Sequence, residues 1–320
     1  MVKPFCKLAD QIEILKERKL NISNKERAMQ VLQIENYYNL VNGYKLPFLR
    51  VDQGTSDNEE YRPDASFDQM HSLHMIDRDL RMVFLQYLLI FETHLKSMVA
   101  YKFSERHRTS NSYLKENSYT PNIEKRPEIQ ELIRILNKII EDRKNIENHS
   151  IWHYCREHES SIPLWVLVND MTFGNISHMY DLLDDSLRNA IAKDFSINFN
   201  REYGMNERVK AGTLASIART ATLFRNCCAH GGVLYNYKAI QRAKGSELSK
   251  ILSIQTSYFE TNNLFSMFAM LKVVLPKSNF SAMKRFLMSL FDFLRESISE
   301  EAYTYVADAT GFKDGWDTLV

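Results

Sequence analysis

Residues 225–232 read RNCCAHGG: an arginine, an asparagine and a histidine within six positions, with two glycines directly behind them. Each of the three has a use at a phosphodiester. Histidine changes protonation near neutral pH and can pass a proton to or from an oxygen. Arginine stays cationic and offers a planar fork of donors that fits phosphate oxygens. Asparagine can orient the histidine or hold a ribose or phosphate oxygen. Arg225, Asn226 and His230 could therefore move a proton and offset negative charge that builds on a nearby oxygen. The plainer reading is an arginine paired to an acid and a histidine capping a helix end.

The residues before the motif, TLASIARTATLF, have helical periodicity, and a helix is predicted from about Glu207 to His230. With Leu214 at zero on a helical wheel, the apolar stripe runs from about 280° to 40°. Arg225 falls at about 20°, inside that stripe, and so requires a partner or a cleft. Arg219, Asn226 and His230 share the other edge at about 120–160°, roughly 140° from Arg225. One straight helix does not bring Arg225 and His230 together. Gly231 and Gly232 can end the helix through a left-handed cap and let the histidine turn. A second copy of the helix end can also pool the side chains.

Other clusters point to chemistry less well. His149 and His153 stand four apart with Cys155 and His158 nearby, but Cys155 falls off their face, so a structural helix is expected rather than zinc. His71 and His74 read as core or surface histidines. There is no phosphate-cradling glycine loop and no serine–histidine–aspartate set. No cofactor or metal is expected.

The chain as a whole narrows the function class. Its 41 basic and 40 acidic residues leave a net charge of +1, so any nucleic-acid contact must be local. Two basic runs qualify. Residues 236–250 carry Lys238, Arg242, Lys244 and Lys250, with Tyr235, Asn236 and Tyr237 beside them. Residues 101–115 carry Lys102, Arg106, Arg108 and Lys115, with Tyr101 and Tyr113 as stacking surfaces. The four cysteines, at 6, 155, 227 and 228, show no paired spacing, which suits a reducing compartment. No secretory leader is legible, and the longest apolar run, residues 82–91, covers about half a bilayer. A cytoplasmic protein without a membrane role is expected.

The elements that must position the motif are helical. With 10 glycines and 7 prolines in 320 residues, long uninterrupted elements are expected. Two short helices open the chain, the second capped by Ser23 or Asn24. An aromatic segment, 34–49, follows, broken by Gly43 and Pro47 and read as a loop or a packing plug, and the polar stretch 50–66 reads as a linker. A helix capped by Ser66 or Asp64 is predicted over about 67–103. Further helices are expected within 128–146, at 151–158, after Pro163 as first helical residue, after a break at Gly174, and after Asp184 or Asp185. Residues 231–260 read as irregular, with two last helices near 262–274 and 279–297. No strand periodicity is present, so the fold class is all-α. The division expected is an N-terminal segment 1–62, a core 63–240 and an extension 241–320.

Four stretches in order resemble a known family. RNCCAH fits the R-x4-H motif of HEPN (higher eukaryotes and prokaryotes nucleotide-binding) domains, and FRNCCAHGGVLYN resembles the Abi-like abortive-infection family in its AbiD/AbiF branch. QIEILKERKL…YYNLVNGYKLPFL, HMIDRDLRMVFLQYLLIFETHLKSMVAY and WHYCREHESSIPLWVLVNDMTFGNIS resemble its other signatures. The resemblance implies a HEPN-type helical bundle, a homodimer, and metal-independent RNA cleavage in antiphage defence or as a toxin. Some relatives act with a noncoding RNA or an antitoxin partner. Arg225, Asn226 and His230 then become the catalytic set. Val233 stands where the family often has arginine, removing a possible phosphate or packing contact. The alternative is a noncatalytic module that binds an RNA or protein partner.

Overall fold

The computed structural model describes residues 5–50, 59–159, 161–240 and 244–320. Among these, fifteen α-helices are joined by short 3-10 and π turns, and the only β features are two isolated bridges, Asn21 with Ser66 and Leu49 with Tyr61. The chain is all-α.

The helices in order are α1 (Leu8–Glu17), α2 (Lys25–Glu35), α3 (Phe67–Arg106), α4 (Arg126–Arg143), α5 (Ser150–Glu157), α6 (Leu164–Leu167), α7 (Phe173–Leu182) and α8 (Asp185–Tyr203). There follow α9 (Ala211–Ala229), α10 (Gly245–Leu252), α11 (Ser257–Glu260), α12 (Leu264–Val274), α13 (Lys277–Ser297), α14 (Glu300–Thr310) and α15 (Trp316–Leu319).

The 40-residue α3 is the axis, roughly 60 Å long. Ser66 starts it by accepting a hydrogen bond from the Gln69 amide at 3.2 Å, with Asp68 in the first turn and Arg106 in the last. Its buried positions include Leu73, Leu80, Phe84, Leu88, Phe91, Leu95, Val99 and Phe103. Helices α9 and α13 pack along it, and α6, α7, α8, α12 and the turn Tyr38–Asn42 also contact it. Helix α9 is wedged between α3, α7, α8 and α12, which is why residues 213–218 are buried without interruption.

Several expectations need correction. The stretch read as a linker is anchored from residue 59 onward: Tyr61 is buried, Lys45 bonds Glu59, and Arg62 donates to Ser299. Residues 51–58 of that stretch lie outside the described residues. Of the two readings of the aromatic segment 34–49, loop or packing plug, the plug holds, with Leu40, Val41, Tyr44 and Phe48 in the core. Pro163 is the cap residue before α6 rather than its first helical residue. Gly174 sits inside the first turn of α7, which starts one residue earlier behind a Thr172–Asn175 capping box. Helix α9 begins at Ala211, not near 207, and α10 and α11 occupy part of the stretch read as irregular. Helix α14 was not foreseen. It buries Ala302, Tyr303 and Val306, and beyond it Phe312 and Trp316 pack with Phe268 and Phe291.

Candidate active site

The motif closes α9 and begins the loop after it. His230 caps the C-terminal end of the helix, Gly231 takes a left-handed conformation at φ +71°, and the Gly232 amide returns to the Cys227 carbonyl at 2.9 Å. This is a Schellman stop. Both glycines have a reason. Gly231 supplies the positive φ, whereas a Cβ on Gly232 would stand 2.8 Å from Cys227 Sγ and 3.2 Å from the Cys227 carbonyl oxygen.

A buried carboxylate on α3 holds the loop in place. Asp77, fully shielded from solvent, accepts from the Leu234 amide at 3.0 Å, the Tyr235 amide at 2.7 Å and the Tyr44 hydroxyl at 2.7 Å. Arg81 bonds the same carboxylate at 2.5 Å and donates to the Gly232 carbonyl at 3.1 Å. Burial pushes the Asp77 carboxyl above the ordinary aspartate value, and these donors pull against it. Val233 packs against the plug: its Cγ2 would lie 3.0 Å from a Cβ on Gly43.

Arg225 has the partner that its place on the wheel requires. Its Nε lies 3.3 Å from Oε2 of Glu92 on α3, and Lys96 Nζ lies 2.9 Å from the other carboxylate oxygen. Glu92 is 5% exposed. Nε and Oε2 face each other without an aligned hydrogen bond. Sequence reasoning missed both Asp77 and Glu92. Their signal is a lone acid inside the apolar stripe of α3, in LHMIDRDL and LLIFETHL.

The other edge of α9 faces away from α3. Arg219 is paired with Asp181 of α7 at 2.6 Å, and Asn226 and His230 are exposed. Within one chain, therefore, Arg225 turns toward α3 while Arg219 turns toward α7, and no contact joins Arg225 to His230.

The basic runs divide by face. Lys102 pairs with Asp194 at 3.2 Å and Arg106 with Asp184 at 3.0 Å, which ties α3 to α8 and its cap. Arg108 is exposed and has no ion-pair partner among the described residues. Lys238 and Lys244 are exposed, Asn236 is half-buried, and Arg242 lies outside the described residues. Tyr235 and Tyr113 are buried, so neither ring is open for stacking, whereas Tyr101 is 62% exposed. His149 caps α5 by accepting from the Ile151 amide and approaches Asp170 at 3.2 Å. No group of three histidine, cysteine or acidic side chains stands close enough to hold a metal among the described residues.

What the fold defines is an all-α protein built on one long helix, with a buried Glu92 meeting a half-buried Arg225 where that helix meets the motif. Residues 30–236 match the Abi-like protein family, well over half of the 320-residue chain, and the protein belongs to that family. The match takes in Asp77, Glu92, Arg225, Asn226 and His230. No curated protein and no solved structure matches the chain. Among the described residues, no helix is long and apolar enough to cross a membrane.

Proposed function

We propose that the protein is a metal-independent endoribonuclease of antiphage abortive-infection defence, of HEPN type and AbiD/AbiF kind, acting as a homodimer. The observation that carries this reading is the end of α9. Glu92 meets Arg225 at Nε, which leaves the terminal edge of the guanidinium for phosphate oxygens. His230 is exposed at a glycine-built stop five residues later. Arg225 and His230 diverge in one chain, so a second copy packed helix end to helix end completes the site. His230 takes the proton from a 2′-hydroxyl, whose oxygen attacks the adjacent phosphorus. Arg225 offsets the charge gained by the phosphate oxygens, and Asn226 orients the ring or the ribose. The 5′-oxygen leaves with a proton from the second His230, and the products are a 2′,3′-cyclic phosphate and a 5′-hydroxyl.

The test is cleavage of RNA by the purified dimer with EDTA present. Cleavage is expected to survive the chelator, to spare DNA, and to fall at least ~100-fold in Arg225→Ala and His230→Ala. Intact RNA at high protein concentration, or unchanged rates in both variants, overturns the reading.

One observation favours a second reading. The charge of Arg225 is already met by Glu92, as it would be in a noncatalytic module that binds a noncoding RNA or an antitoxin. RNA binding that weakens with salt, without cleavage, selects that alternative.

A further inference from the structure

We propose that the groove between α3 and α6 is a binding site for unstacked bases of single-stranded RNA, and that it begins beside Arg225. The inference rests on the RNA reading above and gives it a substrate-holding surface.

The groove has a volume of about 860 Å³. One wall is a single face of α3 running from Leu89 to Glu105, roughly 24 Å of helix. The other wall is Trp165, Val168 and Asn169. Two large aromatic side chains face water here. Trp165 is 57% exposed and Tyr101 62% exposed. Trp165 is the outlier of its helix, since Leu164, Val166 and Leu167 around it are all buried. Aromatic faces in a concave site are stacking platforms for bases.

The rest of the lining fits a nucleotide better than a partner helix. Thr93, Ser97 and Ser104 put hydroxyls along the α3 wall, and Glu92 and Lys96 put a charged pair in the lining. An amphipathic helix needs a continuous apolar bed, which these residues interrupt. Cations stand at both ends. At one end Glu92 leads to Arg225. At the other, Ser104 and Trp165 also line a second cavity of about 320 Å³ that holds His107 and Arg108. Arg108 is exposed and without an ion-pair partner among the described residues, and His107 Nε2 is buried without a hydrogen-bond partner. Aromatic rings between two cations match the general design of single-strand sites, where bases stack and basic groups follow the backbone.

The test uses the full chain and a fluorescein-labelled, 2′-O-methylated RNA single strand of about a dozen nucleotides, which binds without being cut. Binding is expected to quench tryptophan emission. Trp165→Ala and Tyr101→Ala are each expected to weaken binding roughly tenfold, and Trp165→Phe to keep the affinity while losing most of the quench. Phe286→Ala, an exposed aromatic on α13, serves as the control, and thermal melts confirm folding. Unchanged affinity in folded Trp165→Ala and Tyr101→Ala overturns the proposal, even if cleavage occurs. A change in oligomeric state without a change in RNA binding also overturns it and makes the groove a protein interface. Quenched binding of this probe, with unmodified RNA left intact by the same protein, keeps the groove and removes the nuclease reading.

Discussion

Glu92 and Arg225 meet across α3 and α9, Oε2 to Nε at 3.3 Å, with the carboxylate 6% exposed and the guanidinium side 28% exposed. Lys96 takes the same carboxylate from one turn along α3. One buried anion thus serves two cations, and removing it is not equivalent to removing either of them. Glu92→Ala leaves two half-buried positive charges side by side, whereas Arg225→Ala leaves Glu92 still paired with Lys96. Because both cations keep some contact with water, the loss is smaller than for a sealed pair. Glu92→Ala is expected to destabilise the fold by about 2–3 kcal/mol and Arg225→Ala by about 1 kcal/mol. Urea denaturation with matched slopes measures both. A larger loss in Arg225→Ala would show that the arginine, not the carboxylate, is the structural member.

The two glycines behind His230 predict different costs. Gly231→Ala meets nothing within 4 Å but must hold φ +71°, so a loss of about 1 kcal/mol is expected. Gly232→Ala meets Cys227 at Sγ and at the backbone oxygen, and about 1–3 kcal/mol is expected. Adding Cys227→Ala removes the 2.8 Å sulfur contact but not the 3.2 Å backbone one. The double variant should therefore recover part of the loss in Gly232→Ala and none of that in Gly231→Ala. Full recovery at position 232 would mean that the carbonyl contact is unimportant.

Both features show what the sequence carries and what it withholds. Arg225 falls inside an apolar stripe, so its need for a partner is legible from spacing alone. The identity of that partner is not, because Glu92 lies 133 positions earlier in the chain and only the docking of α9 on α3 brings the two together. The left-handed stop is legible because glycine pairs after a helical run have few other uses. Helix α3 is legible because its period holds over ten turns. Helix α14 is not. Its period covers only 11 residues, and its burial depends on the plug segment around Leu46–Phe48 against which it packs. Tyr235 and Tyr113 show the same limit: nothing local separates a tyrosine that stacks on a base from one that fills a core.

Acid should weaken the fold through half-buried histidines that resist protonation. Burial holds the His94 ring, packed 4.5 Å from Phe195, below the ordinary histidine value, and a hydrogen bond from the ring to the Val274 backbone opposes it. Burial also lowers His107, helped by Arg106, and His71, helped by His74. As pH falls through about 6.5, the unfolded chain takes up protons before the folded one, so stability present above that value is lost below it. The slope cannot exceed about 1.4 kcal/mol per pH unit for each histidine. His94→Phe keeps a ring against Phe195 and is expected to make the loss between about pH 7 and 5 shallower. Urea midpoints across that range decide it, and parallel curves for variant and parent would assign the acid sensitivity elsewhere.

Asp77 holds the loop that carries the motif, though it touches neither Arg225 nor His230. Its two oxygens meet the Leu234 and Tyr235 amides, the Tyr44 hydroxyl and Arg81, and Arg81 in turn fixes the Gly232 carbonyl. Asp77→Asn keeps one acceptor oxygen but turns an NH₂ group toward donors and leaves Arg81 without its counter-charge. A loss of about 3–5 kcal/mol is expected. Asp77→Asn with Arg81→Met keeps the one acceptor oxygen and removes the uncompensated cation, and is expected to cost less than Asp77→Asn alone. Amide hydrogen exchange locates the effect. In Asp77→Asn, protection should fall first at Leu234 and Tyr235 and last in the middle of α3. If it falls uniformly, Asp77 supports the whole fold and not the placement of the loop after His230.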